Sequence, residues 1–382
     1  MKDFEARLKD IEEKGLTRTL ITLPGSGGRF VLDGKEYLNF SSNDYLDLAN
    51  DSRVKKAAIA AVEKFGSGSG GSRLMCGTLT LHEELEKKLA DWAGFEEAIV
   101  FGSGFLANTG VISALAGAGD TVYFDKFDHA SIIDGVMLSG AAWKRYRHND
   151  LGELERMLEK SAGNSFIIAD SVFSMDGDLA DVIKLKGLSD KYGAFLIIDE
   201  AHAIGVFGEG IGLCAQKNIK PDLITGTFSK AFGGYGGFAV CSSAVKKLLI
   251  NSARSFIFST ALPPACLGGA IKALEIIREE KELGSSLLDN SSYFHGLLRG
   301  AGLKLPEFSS QIIPVMIGDN RHSVKAAELL WEEGIYAKAI RPPTVPKGTA
   351  RLRLSVTLSH TKQALKTAAE KIARAAQKAG LI

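Results

Sequence analysis

Cysteine is scarce in this chain. Its four thiols, Cys76, Cys214, Cys241 and Cys266, are far apart and show no paired spacing. A zinc knuckle or a redox dithiol needs such pairs, so the four read as reduced thiols of a cytosolic protein. An excess of either charge is missing too, since 46 basic residues stand against 45 acidic ones. With no basic stripe, nucleic acid and anionic membrane are not expected partners. No uninterrupted apolar run is long enough to cross a bilayer. Residues 1–7 are charged and lack the apolar core of a signal peptide, so a cytoplasmic location is expected. There is no fixed-period repeat and no low-complexity tract, which sets aside solenoids and tails. His82, His148, His295, His322 and His360 show no ligand spacing, read as surface or structural residues, and give no reason to expect a metal.

What the chain has is length and glycine. At 382 residues it is too long for one small core, and its 42 glycines imply many tight strand–helix turns. Phe4, Leu8 and Ile11 recur at helical spacing before Gly15 and predict a short amphipathic helix. Asp33-Gly34, flanked by extended stretches at 29–32 and 35–40, predicts a hairpin. Leu81, Leu85, Leu89 and Trp92 mark one face of a helix that Gly94 stops. Short apolar runs at 98–101, 121–124, 166–169, 195–198, 223–225 and 238–241 then alternate with helical stretches such as 106–115 and 151–158.

Strands apolar on both faces, separated by helices, mean an α/β fold with a mostly parallel sheet covered on both sides. Ligands bind such sheets beyond the carboxyl ends of the strands. After Pro263-Pro264 comes a helix at 266–278 that leads away from the sheet. Strands near 312–317 and 350–357 and helices near 324–331 and 361–379 complete an α+β pattern. The expected organisation is an N-terminal helix and extended arm at 1–46, a large cofactor-binding domain at 47–264 and a small α+β domain at 265–382.

One lysine stands in an unusual setting. Thr225-Gly226-Thr227-Phe228-Ser229-Lys230-Ala231 is followed by Gly233, Gly234, Gly236 and Gly237. Partial burial lowers a lysine's pKa and frees its amine to attack a carbonyl. The hydroxyls of Thr227 and Ser229 can meet a phosphate, and the glycines let backbone approach a ligand. These features point to a Schiff-base lysine holding pyridoxal phosphate; a Gly-rich loop with a solvated lysine is the plainer alternative.

Asp199 ends the apolar run 195–198, and a carboxylate at that lip needs a partner. A protonated pyridine nitrogen about 4 Å away would gain roughly 4 kcal/mol at an effective dielectric near 20, about three pKa units. Capping of the next element is the structural alternative. His202, on the same loop, can reach a ring hydroxyl.

Gly102-Ser103-Gly104-Phe105 follows a strand and opens a helix, which makes an anion site of the free N–H groups and the helix dipole. The same residues, with Ala107 and the acidic Asp120 and Asp125, also fit the dinucleotide pattern of a nicotinamide-dependent oxidoreductase. That reading leaves Lys230 and Asp199 unexplained. Asp199-Glu200-Ala201-His202 spells a box of some nucleic-acid-dependent ATPases, but the chain has no Gly-Lys-Ser or Gly-Lys-Thr triplet to go with it. His129, after the strand at 121–124, sits where an imidazole could stack on a flat cofactor or serve only its own loop.

Several further segments complete the pattern: Asn39-Phe40-Ser41-Ser42-Asn43-Asp44-Tyr45-Leu46, Gly68-Ser69-Gly70-Gly71-Ser72-Arg73, and Val172-Phe173-Ser174-Met175-Asp176-Gly177-Asp178. With the Asp199 and Lys230 segments, they make the chain resemble the α-oxoamine synthases over nearly its whole length. These are pyridoxal phosphate enzymes of the aspartate-aminotransferase fold, fold type I, with a seven-stranded sheet. The run Arg341-Pro342-Pro343-Thr344-Val345-Pro346, with Gly348 to Leu354 after it, is similar to the branch that condenses L-alanine with a pimeloyl thioester. A branch that acetylates glycine is the nearest alternative. The departure is Ala203-Ile204 after His202, where small or polar residues are common.

The resemblance implies that Lys230 is the Schiff-base lysine and moves protons at the substrate α-carbon. Asp199 would hold the ring nitrogen, His202 the ring oxygen, and His129 would stack on the ring. Gly104, Phe105, Ser174 and Thr227 would position the cofactor. Asn43 and Arg353 would face the amino-acid carboxylate, and Arg18, Arg341 and Thr344 would line the acyl entrance. A solvated N-terminal charge stays open for Arg18. The resemblance also implies a homodimer and a donor carried by coenzyme A or acyl carrier protein.

Overall fold

The turn at Asp33 and Gly34 is tight because both residues have positive φ, 49° and 75°, the geometry a two-residue hairpin loop requires. In this computed structural model, which describes residues 3–380, the turn joins strands β1 (Arg29–Leu32) and β2 (Lys35–Asn39). The helix Phe4–Glu13 precedes them, capped by Asp3 and exposing its apolar residues Phe4, Leu8 and Ile11. The chain divides into two units.

The larger unit spans Asp44–Ser174 and Leu179–Ser285. It holds β3 (Glu97–Phe101), β4 (Thr121–Asp125), β5 (Ala142–Tyr146), β6 (Ser165–Asp170), β7 (Phe195–Asp199), β8 (Leu223–Thr227) and β9 (Gly237–Cys241). They form one sheet in the order β3-β9-β8-β7-β6-β4-β5. Only β9 runs antiparallel to its neighbours, β3 and β8. Every residue of β6, β8 and β9 is buried, so both faces of the sheet are covered. On one face Ile99, Phe124, Ile168 and Ile197 pack with Val111, Ile112 and Val136 of the helices Gly104–Leu115 and Ala130–Ser139. Each such side chain contributes about 1.5–3 kcal/mol when fully buried.

The smaller unit comprises the residues up to Asn43, Met175–Asp178 and the chain from Ser286 on. Here β10 (Ile312–Gly318), β12 (Ala339–Ile340) and β13 (Ala350–Ser355) form a sheet in the order β10-β13-β12. The short β11 (Ile335–Tyr336) pairs in parallel with β2, where Phe30, Tyr37 and Tyr336 make a small aromatic core. The helices Asn320–Glu332 and Lys362–Lys378 complete the unit.

Three features differ from the sequence expectation. The edge strand β5 was absent from it because Ala142, Trp143, Lys144 and Arg145 are exposed and carry no apolar run. The boundaries also shift. The N-terminal arm shares a unit with the C-terminal part through the β2–β11 pairing, and the larger unit runs past residue 264 to Ser285. The helix Pro264–Glu279 does not lead away from that unit. It packs on the helix Ser52–Phe65, where a Cβ on Gly268 would stand 2.7 Å from the Ala57 carbonyl and the Ala61 methyl. Apolar burial along the helix, including Leu267, Ile271 and Leu274, holds it there.

Candidate active site

Three neighbouring parallel strands of the larger unit each end in aspartate: Asp125 on β4, Asp170 on β6 and Asp199 on β7. Asp170 and Asp199 are register partners, and Asp199 is in turn opposite Thr225 of β8. Thr227 ends β8, and Lys230 follows three residues later, half-buried. The chain therefore delivers an acid, a hydroxyl and an amine to one edge of the sheet, beyond the strands' carboxyl ends.

Asp199 is buried, and its two oxygens accept from different donors. Oδ1 takes the backbone N–H of Ala201 at 2.8 Å, and Oδ2 takes the amide of Asn108 at 2.6 Å. Asn108 went unnoticed in the sequence because a polar residue on an apolar helix has no readable role until its partners are known. His202 is also buried, with its Nδ1 2.7 Å from the Tyr45 hydroxyl. Of the departure at Ala203-Ile204, Ile204 lies against Gly226, where a Cβ would meet its Cδ1 at 2.7 Å. Small size at Gly226 and bulk at Ile204 thus go together. Glu200 belongs to the loop's own structure, accepting from the backbone of Leu213 and Cys214 and from Ser171.

His129 caps the helix Ala130–Ser139, its Nδ1 accepting from the Ser131 backbone, with Phe105 edge-on at 6.4 Å between ring centres. Its own backbone N–H donates to Asp170 at 2.9 Å. Burial pushes its pKa below the usual histidine range; Asp199 pulls it up and Lys230 pushes it further down. Behind it, Asp128 accepts from the backbone of Asp125 and Asp170. Burial, and then neighbouring carboxylates, raise Asp128 and Asp170 well above the usual carboxylate range. Asp128 and Asp170 were not among the expected site residues, although Asp170, like Asp199, directly ends an apolar run.

The helix Gly104–Leu115 starts beside Thr227. A Cβ on Gly104 would lie 3.1 Å from the Thr227 Cβ, and one on Gly237 would strike the Ser103 carbonyl at 2.4 Å. Glycine at both positions lets the helix start come against β8 and β9. Ser103 caps the Leu106 N–H, so the first-turn N–H groups of Gly104 and Phe105 are left to an outside acceptor. The Thr227 hydroxyl is 2.8 Å from that of Ser229 and donates to the Gly236 carbonyl. Helix N–H groups, two hydroxyls and an absent Cβ are groups that could hold a phosphate. With the acid at Asp199 and the ring of His129, the larger unit fits a flat pyridine ring bearing a phosphate. Ser174 lies in this unit too, half-buried after Phe173. Among the described residues, no group of three or more His, Cys, Asp or Glu is placed to hold a metal ion.

The remaining expected residues lie in the smaller unit. Arg353 on β13 is buried; its Nη1 donates to Asn43 at 3.0 Å and to Ser355 at 2.6 Å. Arg18 reaches the Pro342 carbonyl at 3.3 Å and the Thr344 hydroxyl at 3.4 Å. Arg341 donates to the carbonyls of Gly15 and Thr17, at 2.6 and 2.9 Å, and so fastens the segment that carries Arg18. Burial and the charge of Arg18 lower the pKa of Arg341, and burial and the charge of Arg341 lower that of Lys338. Lys338 carries a third positive charge here that the sequence did not single out. Lys338 and Arg341 line a cleft of about 560 Å³ together with Trp331 and Tyr336.

The aminotransferase class I and II family matches residues 35–372. The chain is 45% identical over 385 residues to the 8-amino-7-oxononanoate synthase of Lysinibacillus sphaericus, covering 99% of each. It is 44% identical to that of Geobacter sulfurreducens, covering all of both chains. Among solved structures, the serine palmitoyltransferase of S. paucimobilis with bound PLP–myriocin aldimine superposes with a TM-score of 0.94 at 32% identity, covering 100% of this chain and 98% of that one. An 8-amino-7-oxononanoate synthase from Francisella tularensis gives 0.78 at 30%, covering 90% and 98%. Among the described residues no helix is long and apolar enough to cross a membrane.

Proposed function

The chain belongs to the aminotransferase class I and II family, in its α-oxoamine synthase branch, and we propose that it condenses L-alanine with a pimeloyl thioester. The products are 8-amino-7-oxononanoate, carbon dioxide and the free thiol of the carrier, coenzyme A or acyl carrier protein. The observation that carries the reading is the sheet edge where Asp199 ends β7, Thr227 ends the neighbouring β8 and Lys230 follows it, beside the glycine-lined helix start.

Bound at that edge, pyridoxal phosphate supplies an electron sink that acidifies the α-carbon of an amino acid joined to it. The chain's residues do the rest. Thr227 and the N–H groups of Gly104 and Phe105 would bind the phosphate. Asp199, held by Asn108 and the Ala201 N–H, would accept the ring N–H and keep it protonated. His129 would cover the ring, and His202, steadied by Tyr45, would face its oxygen. Lys230 takes the α-proton of alanine as a base. The α-carbon then attacks the thioester carbonyl, and the carrier leaves as a thiolate that takes its proton from solvent. The alanine carboxylate departs as carbon dioxide, its electrons remaining on the α-carbon, and Lys230 returns a proton there. Within the smaller unit, Arg353 and Asn43 form a pair suited to binding a carboxylate.

We further assign the protein to a cytoplasmic homodimer. Product analysis with alanine, glycine and serine against pimeloyl and acetyl thioesters tests the function. Turnover of glycine with the acetyl donor, and none of alanine with the pimeloyl donor, would place the chain in the neighbouring branch.

A further inference from the structure

Asn108 makes three short contacts, and together they leave its amide only one orientation. Its Nδ2 lies 2.6 Å from Asp199 Oδ2 and 2.9 Å from Ser131 Oγ, and its Oδ1 lies 2.7 Å from Thr225 Oγ1. A carboxylate only accepts, so the Asn108 nitrogen faces Asp199. The second hydrogen of that nitrogen goes to Ser131. Thr225 must then be the donor to Oδ1. Ser131, already accepting from Asn108, gives its one hydroxyl hydrogen to His129 Nδ1, 2.8 Å away. The Ser131 backbone N–H points at the same Nδ1 at 3.3 Å. With two donors on it, Nδ1 holds a lone pair, and the ring proton of a neutral His129 sits on Nε2.

We propose that Asn108 is a positioning residue whose amide, acting through Ser131, ties the Asp199 carboxylate to a neutral His129 protonated at Nε2. Every member of the chain is buried except His129, which keeps an open side. The hydrogen bonds run one way, Thr225 to Asn108, Asn108 to both Asp199 and Ser131, and Ser131 to His129. The site thus offers an acceptor at Asp199 and an N–H donor at His129. A donor suits the oxygen of a substrate carboxylate or of a carbonyl gaining negative charge, and cannot remove a proton. His129 is thereby excluded as the base, and the proton transfers fall to Lys230. The charged groups that bear on the ring are Asp199 and Asp134, which favour its cationic form, and Lys230, which opposes it; burial also opposes it. This assignment rests on the proposed reaction only for what His129 acts upon. The tautomer itself can be measured without turnover.

The test uses holoprotein labelled with ¹⁵N in its histidines, with His129 assigned by comparison with a His129→Asn variant. Wild type should show Nε2 protonated and Nδ1 bare. Asn108→Ala should give a mixture of tautomers and weaken cofactor binding by about ten- to a hundredfold, the span of one charge-assisted hydrogen bond. An unchanged tautomer with wild-type affinity overturns the proposal. A gentler pair keeps it testable if Asn108→Ala does not fold. Thr225→Val removes the donor that orients the amide at nearly constant volume, and Thr225→Ser restores it. The valine variant should lose the single tautomer and the serine variant keep it. Equal behaviour of the two, whether both intact or both impaired, overturns the proposal, because the effect would then not follow the hydroxyl.

Discussion

Tyr45 and His202 stand 157 residues apart in sequence, yet the tyrosine hydroxyl and the histidine Nδ1 meet at 2.7 Å in the buried part of the larger unit. The contact fixes the rotation of the imidazole on a loop that otherwise consists of turns. Tyr45→Phe keeps the ring's volume and removes the hydroxyl. It should lower stability by about 1–3 kcal/mol, the cost of depriving a buried polar group of its partner. The cofactor's absorbance maximum should shift in the same variant. Urea unfolding and the visible spectrum check both effects, and a variant like wild type in each would leave the pair without a role.

Lys230 should be the residue that borohydride joins to the cofactor, with loss of the visible band and a matching mass increase on its peptide. Lys230→Ala should still bind the cofactor through Thr227 and the helix start. Its turnover should fall by at least about 10²–10⁴-fold, the usual contribution of a general acid–base group. Near-normal turnover in this variant would remove Lys230 from the chemistry.

Arg18 and Arg341, expected together at the acyl entrance, should separate on mutation. Arg341 holds the carbonyls of Gly15 and Thr17, so Arg341→Ala should loosen that segment and impair all donors alike. Among the described residues, Arg18 hydrogen-bonds one carbonyl and one hydroxyl, both at 3.3 Å or more. Arg18→Ala should therefore weaken a pimeloyl thioester by about ten- to a hundredfold and spare an uncharged thioester of equal length. Steady-state kinetics on the two donors decides it; equal losses would return Arg18 to a structural role.

Asp44 sets a pH dependence of stability. Burial raises its pKa from 3.8 to about 7, against the opposing hydrogen bonds from the Ala49 and Leu48 N–H groups. Between those two values the unfolded chain has lost the proton and the folded one keeps it, so stability falls as pH rises through the window. The full effect is about 4 kcal/mol, at 1.36 kcal/mol per pKa unit. Asp44→Asn should remove this slope while lowering the baseline, because an amide offers one acceptor oxygen instead of two. Denaturant midpoints measured from pH 4 to 8 for both proteins test it. Parallel curves would show that Asp44 titrates alike in both states.

Much of the larger unit was legible in the sequence because a parallel sheet buried on both faces must be written in apolar runs. β6, β7, β8 and β9 read directly, and the alternation with helices gave the architecture. The surface strand β5 left no such trace, since Trp143, Lys144 and Arg145 face outward. The helix Pro264–Glu279 was legible as a helix but not in its placement, which depends on Gly268 meeting Ala57 and Ala61, far away in sequence. The arm at β1 and β2 looked independent for a similar reason, as its partner β11 lies almost 300 residues further on.

Site chemistry divides along the same line. The sequence by itself determined which groups are present: an amine at Lys230, an acid at the lip of β7, hydroxyls and glycines able to meet a phosphate, and arginines at 18, 341 and 353. Residue type and local spacing suffice for that. Only the tertiary structure decided how those groups are held. Asn108, Thr225 and Ser131 orient Asp199 and His129, Tyr45 steadies His202, and Arg341 turns to backbone carbonyls while Arg18 meets a hydroxyl. Hydrogen bonds have direction and a reach of about 3 Å, and the partners come from strands and helices whose distance along the chain carries no information about their distance in space.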